Sequence, residues 1–588
     1  MSAAAADSDS GVVRRKDDGI REECEASYGA MDGERGEEDG GQHKQNGVRR
    51  AEALTSVWSG KMVILIFILL YLVTLSESIA SSMEYNLAPY ITSSFQHHGL
   101  LVISGIVVVV VAGVCNLAVA KLIDIWGRAQ GFAVMFCIAL AGLLLTTTSQ
   151  NVQMYAAGDT LHWIGSRGFN YIIDIMLVDM TSLRNYLITV GVKGTPTLAS
   201  TFAGPPLAQV FITRSSWRWG LAAGMLAFVV FSMPIGVVLY LSTQKAITQG
   251  IYPKRERQRT AWQSMKFYIV EFDVVGMLCI LFGWTLLLLP FSLVNTAPQG
   301  WKTGYIIASI VLGIVLLAAF AIWERFFAAV SYFPWNYLKD RTILCANLVY
   351  FFMFLSIQTW DTYYSSYLQV VHFLDVTASG YVVNTFSLSA AFFGPFIGLL
   401  VRYTGDYKYI SLAGIPFGIL GTALLIKFRT PDSSVGLLVM CQIMQGLYTE
   451  IWSLTARLAI MAAVGHQQVA VALAIFGLFG SIGSGIGRAI AGAIWTNTLP
   501  RKLEHYLPDD AKGREGDIYN DITLQLSFPR GSPERNAIIA AYSDVQRTFV
   551  IIGVCFMPVL LLCLLMWKNV NVKKLEALQG KQVKRNVT

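Results

Sequence analysis

The sequence predicts an all-α membrane protein of fourteen transmembrane helices, grouped as six, two and six. Three observations predict it. Of 588 residues, 54% are hydrophobic and 14% charged, with a mean hydropathy of +0.51. A soluble domain carries roughly 25% charged residues, so an ordinary soluble enzyme is excluded: that much apolar surface cannot all be hidden in a water-soluble core. Second, apolar runs of about 20 residues, the length that crosses a bilayer, recur from Met62 onward. Third, a weak internal repeat relates the two ends of the membrane region. The net charge of +7 fits basic loops on one side of a membrane rather than a nucleic-acid partner.

The chain opens with a polar tail, residues 1–56, holding 13 acids and 8 bases. It lacks apolar periodicity and reads as disordered. It contains no apolar stretch with a cleavage site, so insertion begins at the first span. Fourteen apolar runs follow, centred near residues 71, 110, 140, 166, 200, 230, 280, 313, 355, 390, 418, 447, 481 and 557. Each must be helical, because lipid offers the backbone no partners. The run Gly304–Trp323 has no charge at all; the fourth and fifth are weakest, carrying Asp159, His162, Arg167, Asp174 and Lys193. The expected domains are a first six-helix bundle over 57–242, loops and two linking helices over 243–342, and a second bundle over 343–567. A long external loop interrupts the second bundle at 497–546, and a cytoplasmic tail ends the chain at 568–588.

Loop charge sets the orientation. Lys245, Lys254, Arg255, Arg257, Arg259 and Lys266 follow the sixth span, and Arg325, Lys339 and Arg341 follow the eighth. Loops after spans one, three and nine have no Lys or Arg. Arg214, Arg218, Lys302, Lys427 and Arg429 are exceptions in short external loops. The majority places both termini in the cytoplasm of a multi-pass protein. The repeat then falls on two cytoplasmic turns, Ala120 to Arg128 after the second span and Gly398 to Asp406 after the tenth. Each has a small residue, a charge four positions on and glycine at seven. Paired halves around a central site are the architecture of alternating-access carriers.

No phosphate-binding loop, nucleophile elbow or H-E-x-x-H occurs, which points to a secondary transporter rather than an enzyme. Seven of the eight cysteines fall within apolar runs, without metal-ligand spacing, and read as small buried hydrophobes. No metal site or cofactor is expected. Ionisable groups within spans are costly and mark pathways. Asp159, Asp174, Asp179, Asp361 and Glu450 are the candidate proton-coupling residues. Arg167–Asp174 and Glu450–Arg457, each seven apart on one helix face, are equally readable as members of internal ion pairs between helices. Glu77 and Glu84, at the outer end of the first span, read as solvated. Trp360, Tyr363, Tyr364 and Tyr367 recur at spacings that put them on one helical face. With Tyr85 and Tyr90 after the first span, they are candidates for contacting a bulky, partly apolar ligand.

The turn containing Asp124, Gly127 and Arg128 resembles the loop signature of the major facilitator superfamily, with Ala120 and Ile125 departing from it. Longer segments resemble the fungal siderophore–iron transporters, a fourteen-span branch of that superfamily. They are Asp179–Asn185, Ala203–Gln209, Trp217–Gly220, Trp323–Arg325, Tyr367–Val371, Thr377–Gly380, His466–Ala470, Trp495–Pro508 and Ser532–Arg535. The likeness runs from about Val57 to Trp567. It implies uptake of ferric hydroxamate complexes in symport with protons, by a monomer in the plasma membrane, with endosomal membranes a second place to find it. Its partners are the ferric siderophore, protons and membrane lipid, with no nucleic acid. The siderophore's own oxygens hold the iron. The resemblance casts Asp124, Gly127, Arg128 and Arg184 as gating residues and Tyr506, in the last external loop, as a substrate contact. Tyr186 and Gln468 depart from the family pattern. A glutathione–proton exchanger, a haem importer or a drug–proton antiporter would use the same fold.

Overall fold

The computed structural model describes residues 46–94, 100–251, 260–294, 297–328, 333, 335–464, 468–520 and 522–573. The disordered tail is expected to run through residue 56, yet its last residues form a helix, α1 (Asn46–Ser56). Ala51, Ala53 and Leu54 are buried, so an apolar stripe too short to show as periodicity docks on the bundle.

The first half is built from α2 (Gly60–Ser94), α3 (Leu100–Trp126), α4 (Arg128–Thr147), α5 (Val152–Met180), α6 (Leu183–Gly194) with α7 (Pro196–Arg214), and α8 (Trp217–Thr248). The α6–α7 pair meets at Thr195, where Pro196 takes the first helical position of α7, a place that needs no backbone N–H. The second half comprises α12 (Arg341–Asp361) with α13 (Tyr364–Val371), α14 (Val376–Thr404), α15 (Tyr407–Phe428), α16 (Val435–Ala463), α17 (Val469–Tyr506), and α20 (Pro533–Cys555) with α21 (Met557–Leu565). Between the halves lie α9 (Ala261–Glu271), bent by 50° from α10 (Val274–Leu288), and α11 (Gly304–Phe326). Close packing at Gly283 and Gly313 joins α10 to α11, and the Asp273 carboxylate accepts from the Trp323 indole at 2.7 Å.

Ten described helices are long and apolar enough to cross a membrane, or eleven if the bent pair is one span. The remaining passes, α5, α6–α7 and α16, fall outside that set. Two of them, α5 and α16, carry Asp159, His162, Asp174, Gln442, Gln445, Glu450 and Arg457. The fourteen-helix count is compatible with this arrangement. The connection expected to be external is shorter than 497–546, because α17 continues through Pro500 to Tyr506 and α20 begins at Pro533. Two short helices, α18 (Glu515–Asn520) and α19 (Ile522–Ser527), occupy the turn. Arg535 fastens it, donating to the Val370 carbonyl at 2.8 Å and to Gln525.

Both described chain ends lie at one end of the bundle, called inner below. Arg50 there donates to the Trp126 carbonyl at 2.9 Å, and Asn571 reaches Asp406 at 2.9 Å. The halves meet along two seams. In one, α6 crosses α14 so closely that a Cβ on Gly191 would stand 2.6 Å from the Gly394 carbonyl carbon. In the other, α3 faces α17, with Gly113 against Ser481.

Candidate functional site

The inner end carries the first polar constellation. Gly127 adopts φ +101°, which L side chains rarely tolerate, and this turns the chain so that Arg128 opens α4 beside the end of α3. Arg128 donates to Asp179 on α5 at 2.9 Å and to Asp124 at 3.1 Å, with all three nearly buried. Asp179, a proton-coupling candidate from sequence, is thus paired with Arg128 alongside the gating candidates. Arg184 stands apart, donating across the halves to the Arg402 carbonyl at 3.1 Å. The repeat copy keeps the left-handed glycine, Gly405 at φ +80°, but Arg402 is exposed and Asp406 pairs with Asn571. The shared pattern is a turn; the charge latch belongs to the first copy.

Nearer the middle, Asp174 on α5 sits between Lys193 on α6 at 2.6 Å and Arg457 on α16 at 3.5 Å. The second contact joins the halves. Of the four residues read as members of inter-helix ion pairs, two meet each other: Arg457 turns to Asp174 and not to Glu450, while Arg167 is exposed, its guanidinium 5.2 Å from the Trp163 ring centroid. Periodicity along one helix does not reveal a closer partner on another.

The expectation of solvated Glu77 and Glu84 is overturned: they are 7% and 8% exposed. Their shared face of α2 meets α5. Glu77 accepts from Ser166 and, at 2.8 Å, from Asn170. The Glu84 Oε2 atom lies 3.9 Å from His162 Nε2, and its other oxygen has no hydrogen-bond partner among the described residues. Asp159, one turn from His162, lies in the same group. His162 is pressed into place by α4, where a Cβ on Gly142 would come within 2.2 Å of its backbone nitrogen. Glu77, Ser81, Glu84, His162, Leu221 and Phe228 border a narrow pocket. Isolated helix-end acids carry no sequence signal of this; the matching His162–Asp159 spacing on α5 was the available clue.

The aromatic candidates divide. The helix breaks between Asp361 and Tyr364, so the four do not share one continuous face. Tyr363 stacks on Trp495 at 4.1 Å and 3°. Trp360, Tyr364 and Tyr367 are wholly buried, and the Arg429 guanidinium lies 3.8 Å from the Tyr364 centroid and 5.0 Å from that of Trp360. Asp361 lies in the field of Arg429 and Arg488. Tyr506 is 38% exposed and, with Lys502, holds Asp544 at 2.9 and 2.7 Å. The side chains of Tyr85 and Tyr90 and residues 465–467 lie outside the described residues. Among the described residues, no group of three His, Cys, Asp or Glu could hold a metal.

No family model matches the chain. It is 44% identical over 543 residues to "MFS siderochrome iron transporter 1" of Ajellomyces capsulatus, covering 92% of this chain and 94% of that protein. It is 38% identical to "Siderophore iron transporter mirB" of Emericella nidulans, covering 92% and 89%. To "MFS siderochrome iron transporter B" of Aspergillus fumigatus it is also 38% identical, covering 92% and 87%. The fold is similar to the inward-facing, unoccupied crystal structure of a bacterial homolog of the human lysosomal transporter Spinster. The TM-score there is 0.54 at 11% identity, over 87% of this chain and 98% of that one. A peptide transporter POT in complex with sulfate gives 0.52 at 12% identity, over 86% and 96%.

Proposed function

Because the chain belongs to the siderophore iron transporters of the major facilitator superfamily, we propose that it imports ferric hydroxamate siderophores across the plasma membrane in symport with protons. Substrate and proton enter from the outer end, the halves rock, and both leave at the inner end. The termini are cytoplasmic and the working unit is a monomer.

The observation that carries the proton step is the Glu84, His162 and Asp159 group. Glu84 and His162 border a narrow pocket, Glu84 Oε2 stands 3.9 Å from His162 Nε2, and Asp159 lies one turn from His162 in the field of both. Buried carboxylates lacking a permanent cation are held by a proton or a polar partner. A proton taken up there neutralises the group as the pocket closes, and its departure on the other side resets the charge. Asp174 and Asp179 already face Lys193, Arg457 and Arg128, and Glu450 and Asp361 lie in the field of arginines. Asp159 is therefore the proton-coupling candidate best placed for this work, with Glu84 and His162 added to it. The aromatic residues and Tyr506 serve the substrate, and Asp124, Gly127, Arg128 and Arg184 serve the gate.

Iron-uptake-deficient yeast expressing the chain will accumulate labelled iron from a ferric hydroxamate, and a protonophore will abolish the accumulation. Uptake indifferent to the protonophore removes symport; no uptake from any siderophore removes the transport reading. Glu84→Gln, which cannot release a proton, will lose concentrative uptake by about a hundredfold or more, the scale attributed to a positioned proton-transfer group. It will retain exchange of labelled for unlabelled chelate. Concentrative uptake unchanged in this variant places the proton elsewhere. Competition among ferrichrome-like, ferrioxamine-like, fusarinine-like and haem ligands orders the substrates.

A further inference from the structure

Arg429 follows the last residue of α15 and is 3% exposed. Its Nη1 donates to the Trp360 carbonyl at 2.7 Å. Nε and Nη2 are equally buried, and no described residue accepts from them. The same holds for the Trp360 indole N–H and the Tyr367 hydroxyl. On α16, Cys441 lies near both Arg429 and Tyr364. Gln442 and Gln445 sit on the adjoining turn, wholly buried, and among the described residues neither amide atom of either has a partner.

Each buried donor left unmade costs about 1–3 kcal/mol, and a charged one more. Native proteins leave few such groups without a reason. Here the two guanidinium nitrogens, the Trp360 indole and the Tyr364 and Tyr367 hydroxyls lie together, and Gln442 and Gln445 stand within about one turn of Cys441 on α16. The aromatic rings flanking the guanidinium favour its charge, and Asp361 lies in its field, but neither supplies hydrogen-bond acceptors to these nitrogens. The guanidinium and indole nitrogens are the donors left without an acceptor among the described residues.

We propose that Arg429, with Trp360, Tyr367, Gln442 and Gln445, forms a subsite that grips carbonyl or carboxylate oxygens on the periphery of the chelate, and that Arg429 determines which chelates are accepted. The inference rests on the siderophore reading above. A hydroxamate siderophore spends its hydroxamate oxygens on the iron, so recognition falls to the remaining oxygens of its backbone and substituents. The planar guanidinium fork takes a carboxylate through two parallel bonds and a neutral carbonyl through one.

The test is uptake kinetics per surface copy in the same yeast, with labelled ferric ferrichrome as the neutral ligand and a carboxylate-bearing ferrichrome as the anionic one. Arg429→Gln will raise KM by about tenfold or more, a loss expected of one charge-assisted hydrogen bond, while the maximal rate stays within about twofold of wild type. Arg429→Lys, keeping charge without the fork, will recover part of the affinity. Equal rises in KM for both ligands assign the grip to carbonyl oxygens; a rise confined to the carboxylate-bearing ligand assigns it to that group. An unchanged KM for both overturns the subsite while leaving siderophore import intact. Should Arg429→Gln fail to reach the surface, the double variant Gln442→Leu with Gln445→Leu decides: a raised KM supports the subsite and an unchanged one overturns it. Wild-type protein that takes up neither ligand removes the siderophore reading, and the subsite with it.

Discussion

Gly191→Val will abolish uptake while the protein still reaches the membrane. At this position a Cβ meets backbone, not a movable side chain: 2.6 Å from the Gly394 carbonyl carbon and 2.7 Å from the Pro395 nitrogen. No rotamer relieves that clash, so α6 and α14 must separate. Overpacking of a tight interface costs typically ~1–3 kcal/mol, a factor of ~5–150 in an equilibrium between two arrangements of the halves. Gly194→Val supplies the control, because nothing lies within 4 Å of the added carbon. Uptake per surface copy should fall below about a tenth of wild type for the first variant and stay near wild type for the second. Equal activity of the two would mean that the close crossing plays no part in transport.

Arg457→Gln has the second large expected effect. Asp174 keeps Lys193 at 2.6 Å but loses the partner that ties α5 to α16 at 3.5 Å. Removing one member of a buried pair costs ~3–5 kcal/mol when the pair is fully shielded. These side chains retain 16–23% exposure, so ~1–3 kcal/mol is the better figure. The loss falls on whichever state closes the inner end, and uptake should drop about tenfold or more. A double-mutant cycle separates coupling from general damage. Combined with Asp174→Asn, Arg457→Gln should cost little beyond the worse single change; fully additive losses would show that the pair does not act as a unit.

The passes were legible in the sequence because a bilayer imposes a length and an apolarity that runs of residues display directly. The expected centre near residue 313 falls in α11, and that near 140 falls in α4. The latch was half legible: Asp124, Gly127 and Arg128 stand in one short turn, whereas Asp179 arrives from α5, 51 positions after Arg128. The buried ion contacts were not legible, since Lys193 and Arg457 meet Asp174 across three different helices. Spacing arguments also assume an unbroken helix, and the break after Asp361 moves Tyr363 away from Tyr364 and Tyr367. In the sequence Arg429 is one loop charge among several, because it stands at a helix end. Only the tertiary structure folds it under Trp360 and Tyr364.

The place where α6 crosses α14 is not central. From Gly394 the helix runs 18 residues outward to Val376 and 10 inward to Thr404, arms of about 27 and 15 Å at 1.5 Å per residue. With that crossing as fulcrum, a swing of ~15°, the size of known rigid-body switches, carries the long tip ~7 Å and the short tip ~4 Å. The lever is unequal: for the same turn the outer mouth gapes nearly twice as far as the inner one, so the two doorways do not admit cargo of the same girth.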